Sequence, residues 1–132
     1  MEKDIIKEIP SGLEKYLGIG QMVLPCEDTI REELQKVNKG ELITLPALRE
    51  AIALQFRVTT SCPKSTLKIV RFMMEEQNSG AYRVINGKGE LVAKDIELQS
   101  ALLKKDGLEI DNSKAKLKVV DFKNHLKSSN NE

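Results

Sequence analysis

The sequence predicts an α/β domain, mainly helical with one β-hairpin, of the winged helix-turn-helix type. Three observations carry this expectation. Two apolar-striped helical segments, one opening at Thr44 and one at Pro63, are joined by the hydroxyl-rich turn Thr59-Thr60-Ser61-Cys62. The second segment sets Lys64, Ser65, Lys68 and Arg71 on or near the face opposite its apolar stripe. Downstream, Asn86-Gly87-Lys88-Gly89 separates two short strand-like runs, a strong hairpin signal and a natural wing.

The elements follow in order. Residues 1–26 read as an irregular N-terminal extension, because Pro10, Gly12, Gly18, Gly20 and Pro25 interrupt them too often for a long helix. Leu13, Tyr16 and Leu17 suit one apolar-faced turn. Residues 27–110 form the expected winged domain. It opens on an amphipathic helix with Ile30, Leu34 and Val37 at helical spacing and acids in its first turn, where they suit the helix dipole. Gly40 ends that helix. Thr44 then caps the next, with Pro46 in its first turn and Leu45, Leu48, Ile52 and Phe56 along its buried stripe. In the helix from Pro63, the inner face is Leu67, Val70, Met73 and Met74. Strands are expected at Tyr82–Ile85 and Glu90–Val92, followed by a helix capped by Asp95 that buries Ile96, Leu98, Leu102 and Leu103. Residues 111–127 are a C-terminal strand-helix addition, with Leu108–Ile110 and Lys116–Phe122 pairing, and residues 128–132 are a disordered tail.

Composition narrows the function classes. The 132 residues are 40% hydrophobic and 31% charged, an ordinary balance for one domain. A net charge of +1 argues against electrostatic coating of nucleic acid. Acids crowd residues 1–37, whereas residues 59–94 are mildly basic, which suits one anion-tolerant face or a plain solvated surface. No apolar run approaches the roughly 20 residues of a membrane span, and MEKDIIKEIP lacks the apolar centre of a signal peptide. A cytoplasmic protein is expected. Cys26 and Cys62 form no CxxC pair and read as free thiols. With one histidine, His125, no metal site and no cofactor are expected.

Specific residues then match a known family. The run AYRVINGKGELVAKDIELQSALLKKDGLEI resembles the end of the alkylguanine-DNA alkyltransferase domain and its alkyltransferase-like relatives. There, a His-Arg-Val-Ile motif leads into a glycine-containing hairpin and a helix with Leu-Leu that closes on an acid and a glycine. NKGELITLPALREAIA is similar to the segment entering the family's first helix, and CPKSTLKIVRFM to its recognition helix. The resemblance covers about Lys36 to Ile110 and implies a DNA-binding fold.

It also implies lost chemistry. The family's Pro-Cys-His-Arg motif holds an alkyl-accepting cysteine, activated as a thiolate by its histidine through a water. The matching residues here are Gly80, Ala81, Tyr82 and Arg83, and Ala81 has nothing with which to attack. The alkyltransferase-like branch also lacks that cysteine and binds lesions without repairing them. A tyrosine that helps rotate the damaged nucleotide is matched by Leu45. The arginine that fills the gap left by the extruded base is matched by Leu67, which helical spacing assigns to the buried stripe. Asp106 stands for the usual glutamate. Leu45, Ala81, Tyr82 and Arg83 would thus surround a former active-site pocket, with the space at Ala81 open to a base.

Double-stranded DNA is the expected partner, contacted by Ser61, Lys64, Ser65, Lys68, Arg71 and Lys88 through phosphate neutralisation and hydroxyl hydrogen bonds. The alternative is a protein-interaction module on the same scaffold, which the near-neutral charge favours. Cys62, before a helix N-terminus, reads more readily as structural than as reactive.

Overall fold

The helix-turn-helix is built from local signals that act as expected. A computed structural model describes residues 3–127; the tail at 128–132 lies outside them. Thr44 Oγ1 accepts the amide of Ala47 at 3.2 Å, and helix α3 runs over Leu45–Phe56 with a proline in its first turn. Arg57 closes it in the left-handed region at φ 56. Helix α4 spans Pro63–Met73 and buries Thr66, Val70 and Met73, while Leu67 is half-buried. Helix α2 (Glu27–Leu34) lies against both and completes a core of Ile30, Leu34, Leu48, Ile52, Val70 and Met73, all essentially without exposure.

The N-terminal residues depart from the irregular extension expected. Strand β1 (Ile5–Glu8), the short helix α1 (Glu14–Leu17) and strand β2 (Gln21–Leu24) precede α2. The turn between α3 and α4 also contains strand β4 (Thr60–Ser61), paired parallel to β2 through Met22–Thr60 and Val23–Ser61. Strand β1 joins β2 antiparallel on the other side. Gly18 and Gly20, with φ of 96° and 124°, turn the chain into β2 rather than leaving it unstructured. Their neighbour is Thr59, whose Oγ1 donates to the Ile19 carbonyl at 2.9 Å. The sheet forms through contacts some forty residues apart in sequence, which local composition does not reveal.

The wing also differs in construction. Ala81–Arg83 makes a 3₁₀ turn, so strand β5 shrinks to Val84–Ile85. Its partner is strand β3 (Ile43–Thr44), in parallel, not the other arm of the hairpin. The arms are joined by an Ile85–Leu91 bridge and by the Asn86 amide donating to the Glu90 carbonyl at 2.9 Å. Asn86 closes the turn with its side chain, its Oδ1 accepting the amides of Lys88 and Glu90 at 2.9 Å each. The glycine at positive φ is Gly89, at 86°.

Helix α5 (Ile96–Lys105) starts at Asp95, whose Oδ1 accepts the Leu98 amide at 3.1 Å, as expected of a capping aspartate. Strands β6 (Ile110–Asp111) and β7 (Lys118–Val119) form the expected pair in shorter form, and the pairing is antiparallel. Strand β7 is also bonded to the wing. Leu91 N donates to Leu117 O at 3.0 Å and Val119 N to Gly89 O at 2.9 Å. Leu42, Ile85, Leu91, Leu103, Val119 and Phe122 make a second core. Packing thus crosses the boundaries drawn at 26/27 and 110/111: β4 belongs to the N-terminal sheet, and β7 to the wing.

Candidate nucleic-acid interface

Helix α4 offers a narrower polar face than its sequence suggests. Lys64 and Lys68 are exposed and Ser65 is half-buried. Arg71 is half-buried, and its Nε donates to the Val92 carbonyl at 2.7 Å. Its guanidinium thus ties the end of α4 to the base of the wing. Ser61 is fully buried and donates its hydroxyl to the Arg49 carbonyl at 3.1 Å. It holds the turn and does not face a groove.

Arg49, which the sequence did not single out, fastens the same turn from α3. Its Nε donates to Ser61 O at 3.1 Å and its Nη2 to Thr60 Oγ1 at 3.0 Å. Burial lowers its guanidinium below the usual arginine range, opposed by the nearby Cys62. Cys62 itself is a half-buried free thiol, and Cys26 a buried one.

The residues expected to surround a former active-site pocket form a packed network instead. Ala81 has no exposed surface and lies in the first core, with half-buried Leu45 packed on the same cluster. The space expected at Ala81 is filled. Tyr82 Oη donates to Asp106, with Oδ2 at 3.0 Å, and accepts from Arg83 Nη2 at 2.7 Å. Arg83 Nε completes the triangle on Asp106 Oδ2 at 3.0 Å. Burial and then the hydrogen bond to Asp106 raise the Tyr82 hydroxyl above the ordinary tyrosine range. The recess that Tyr82 lines measures about 70 Å³, well under the roughly 300 Å³ at which small-molecule pockets begin.

Gln99 is the residue that organises this region, and the sequence reading passed it over. It is buried at 1% exposure. Its Nε2 donates to the carbonyls of Tyr82 and Val84 at 2.9 and 2.8 Å, and its Oε1 accepts the amides of Val92 and Ala93 at 3.0 Å each. One side chain therefore ties the Ala81–Arg83 turn, β5 and the far arm of the wing together. The signal was present: Gln99 lies three residues after Ile96 and four before Leu103, on the buried face of α5.

Lys68 and Lys88 line two separate recesses. Ser65 and Lys68 line one of about 350 Å³ with Ile69, Phe72 and the carboxylate-bearing Glu27. Lys88 lines another, of about 620 Å³, together with Lys114, Lys116, Lys118 and Lys123. Lys116 and Lys118 fall in the strand that the sequence predicts over Lys116–Phe122, whereas Lys114 and Lys123 lie outside its alternating pattern, and nothing local marks the four as one charged group. Among the described residues, no group of three or more His, Cys, Asp and Glu side chains is placed to hold a metal. No described helix is long and apolar enough to cross a membrane.

The fold has a solved counterpart. The chain is similar in structure to S. pombe Atl1, crystallised in complex with damaged DNA containing O6-carboxymethylguanine. The TM-score is 0.63 at 14% identity, over 77% of this chain and 94% of that one. The fold is similar to that of Atl1, a mixed α/β winged helix, as the sequence predicts. No protein-family model and no curated protein sequence matches the chain.

Proposed function

We propose that this protein binds double-stranded DNA without catalysing alkyl transfer. The observation that carries the reading is the outward face of α4. Lys64 and Lys68 are exposed there, on the second helix of a fold whose solved counterpart holds damaged DNA. Helix α4 would approach a groove, with Lys64, Ser65 and Lys68 on phosphates and Lys88 of the wing on the flanking backbone. Ser61 and Arg71 act from behind, holding the turn and the wing that position α4.

The resemblance in sequence matches Ala81 to the alkyl-accepting cysteine, and a buried methyl group offers no nucleophile. Tyr82 stands where the family has histidine, and its hydroxyl is committed to Asp106 and Arg83. Damaged duplex is included as a ligand on the strength of the solved counterpart. With Ala81 packed, preference for a lesion would rest on how easily the damaged duplex deforms, not on a preformed chamber for a base.

Binding of plain, O6-alkylguanine and mismatched duplexes, followed across a salt series, tests the reading. Mass spectrometry after incubation with alkylated DNA should find no alkyl group on the protein; transfer to Cys62 would contradict it. A protein-interaction role draws on a different observation, the exposed apolar side chains Ile5, Ile6, Tyr16 and Ile19 in the N-terminal segment. Recovery of one stoichiometric protein partner, together with no duplex binding, would favour that role.

A further inference from the structure

A larger group of lysines than the pair on α4 gathers at the wing. Lys88 at the wing and Lys114, Lys116, Lys118 and Lys123 of the C-terminal segment line a single open cleft. Two carboxylates share it. Glu90 is held below the usual carboxylate range by the Asn86 side chain and then by Lys116, Lys88 and Lys118. Asp111 is held low by Ser113 and then by Lys114 and Lys118. Five cations against two carboxylates leave a clear positive excess. None of the ion pairs formed among the described residues engages any of the five lysines at contact distance.

The cleft is part of a fixed surface. Strand β7 is bonded to the wing at Gly89 and Leu91, and a Glu90–Lys118 bridge joins them again. Phe122 closes the floor by packing against Gly89. The backbone bearing Lys88 is therefore bonded directly to that bearing Lys118, so these two lysines need little further backbone ordering to engage an anion.

We infer that this cleft binds the sugar–phosphate backbone of DNA, extending the contact beyond the segment addressed by α4. The inference rests on the DNA reading for its partner, but not on α4 entering a groove. Lysines act as strongly hydrated point charges and suit phosphate neutralisation without base readout. A lipid surface is disfavoured by the lining: its large apolar residue, Phe122, is buried, and the exposed large apolar side chains of the described chain lie elsewhere. Membrane-surface sites combine basic residues with apolar side chains that insert.

The test uses the full chain, a fluorescent 20-base-pair duplex and anisotropy titrations across a salt series. Three proteins are compared: the parent, Lys114→Ala/Lys116→Ala and Lys64→Ala/Lys68→Ala. These side chains are exposed, so an unchanged thermal midpoint confirms that the fold is retained. Loss of two phosphate contacts should weaken binding at least about tenfold at low salt and reduce the slope of log K against log salt by about 2. A weakened cleft variant beside an unaffected α4 variant supports the cleft and removes α4 from the interface. An unchanged cleft variant beside a weakened α4 variant overturns the inference and leaves the α4 reading standing. A cleft variant that loses binding to phosphatidylserine vesicles but not to the duplex also overturns it.

Discussion

Gly89 and Phe122 are in direct contact: a Cβ built on Gly89 falls 2.3 Å from Phe122 Cδ1, inside the ring's van der Waals surface. The glycine also sits at φ 86°, where other residues are strained. Two independent constraints therefore meet at the one point that joins the wing to the C-terminal segment. Gly89→Ala is expected to lower stability by about 2–3 kcal/mol, measured by urea unfolding. Phe122→Ala removes a core side chain and has its own cost of about 3–5 kcal/mol, but Gly89→Ala should cost less in that background than in the parent, giving a clear coupling energy in the double-mutant cycle. Strict additivity would show that the contact does not carry the effect.

Gln99 satisfies four backbone groups from one buried side chain. Gln99→Leu keeps an apolar-compatible shape but leaves those donors and acceptors without their partner. Each buried polar group left unpaired costs about 1–3 kcal/mol, so the variant should lose at least about 3 kcal/mol. Hydrogen exchange should rise first at Val92 and Ala93, whose amides lose their acceptor. Protected amides at those positions would contradict the assignment.

Tyr82 makes stability depend on alkaline pH. Its hydroxyl titrates above the ordinary tyrosine value of 10.0 in the folded chain, because burial and Asp106 both favour the neutral phenol. The contribution is fully present below the unfolded value and is lost as pH rises through the higher folded one. Thermal midpoints should therefore fall above about pH 10. Tyr82→Phe should cost about 1 kcal/mol near pH 8, and its deficit should narrow above pH 10 as the parent loses this stabilisation. A deficit that stays constant across this range would assign the loss to packing alone.

How much was legible in the sequence depended on the range of the interaction. The capping of α3 by Thr44 and α5 by Asp95 involves partners three residues away, and both were readable. The buried stripes of α2, α3 and α4 follow from helical periodicity in the same way. The pairing of β4 with β2 was not readable: a two-residue strand has no periodicity, and its partner lies almost forty residues away. Ser61 and Arg71 looked like surface groups because their residue types are usually exposed, yet each is held by a backbone carbonyl across the fold. The pocket expected around Ala81 failed because a smaller side chain was taken to leave space, whereas the surrounding core closes on it. The C-terminal lysines were visible as residues, but only the tertiary bonds of β7 bring them beside Lys88.

The central claim is that α4 meets DNA through Lys64 and Lys68. Its most direct test is the affinity of Lys64→Glu/Lys68→Glu for a short duplex at low salt, measured beside the parent protein. The parent should bind measurably and more weakly as salt rises, and the variant should lose at least about tenfold in affinity at unchanged thermal stability. Equal affinity of the two proteins, or no detectable binding by the parent at low salt, would contradict it.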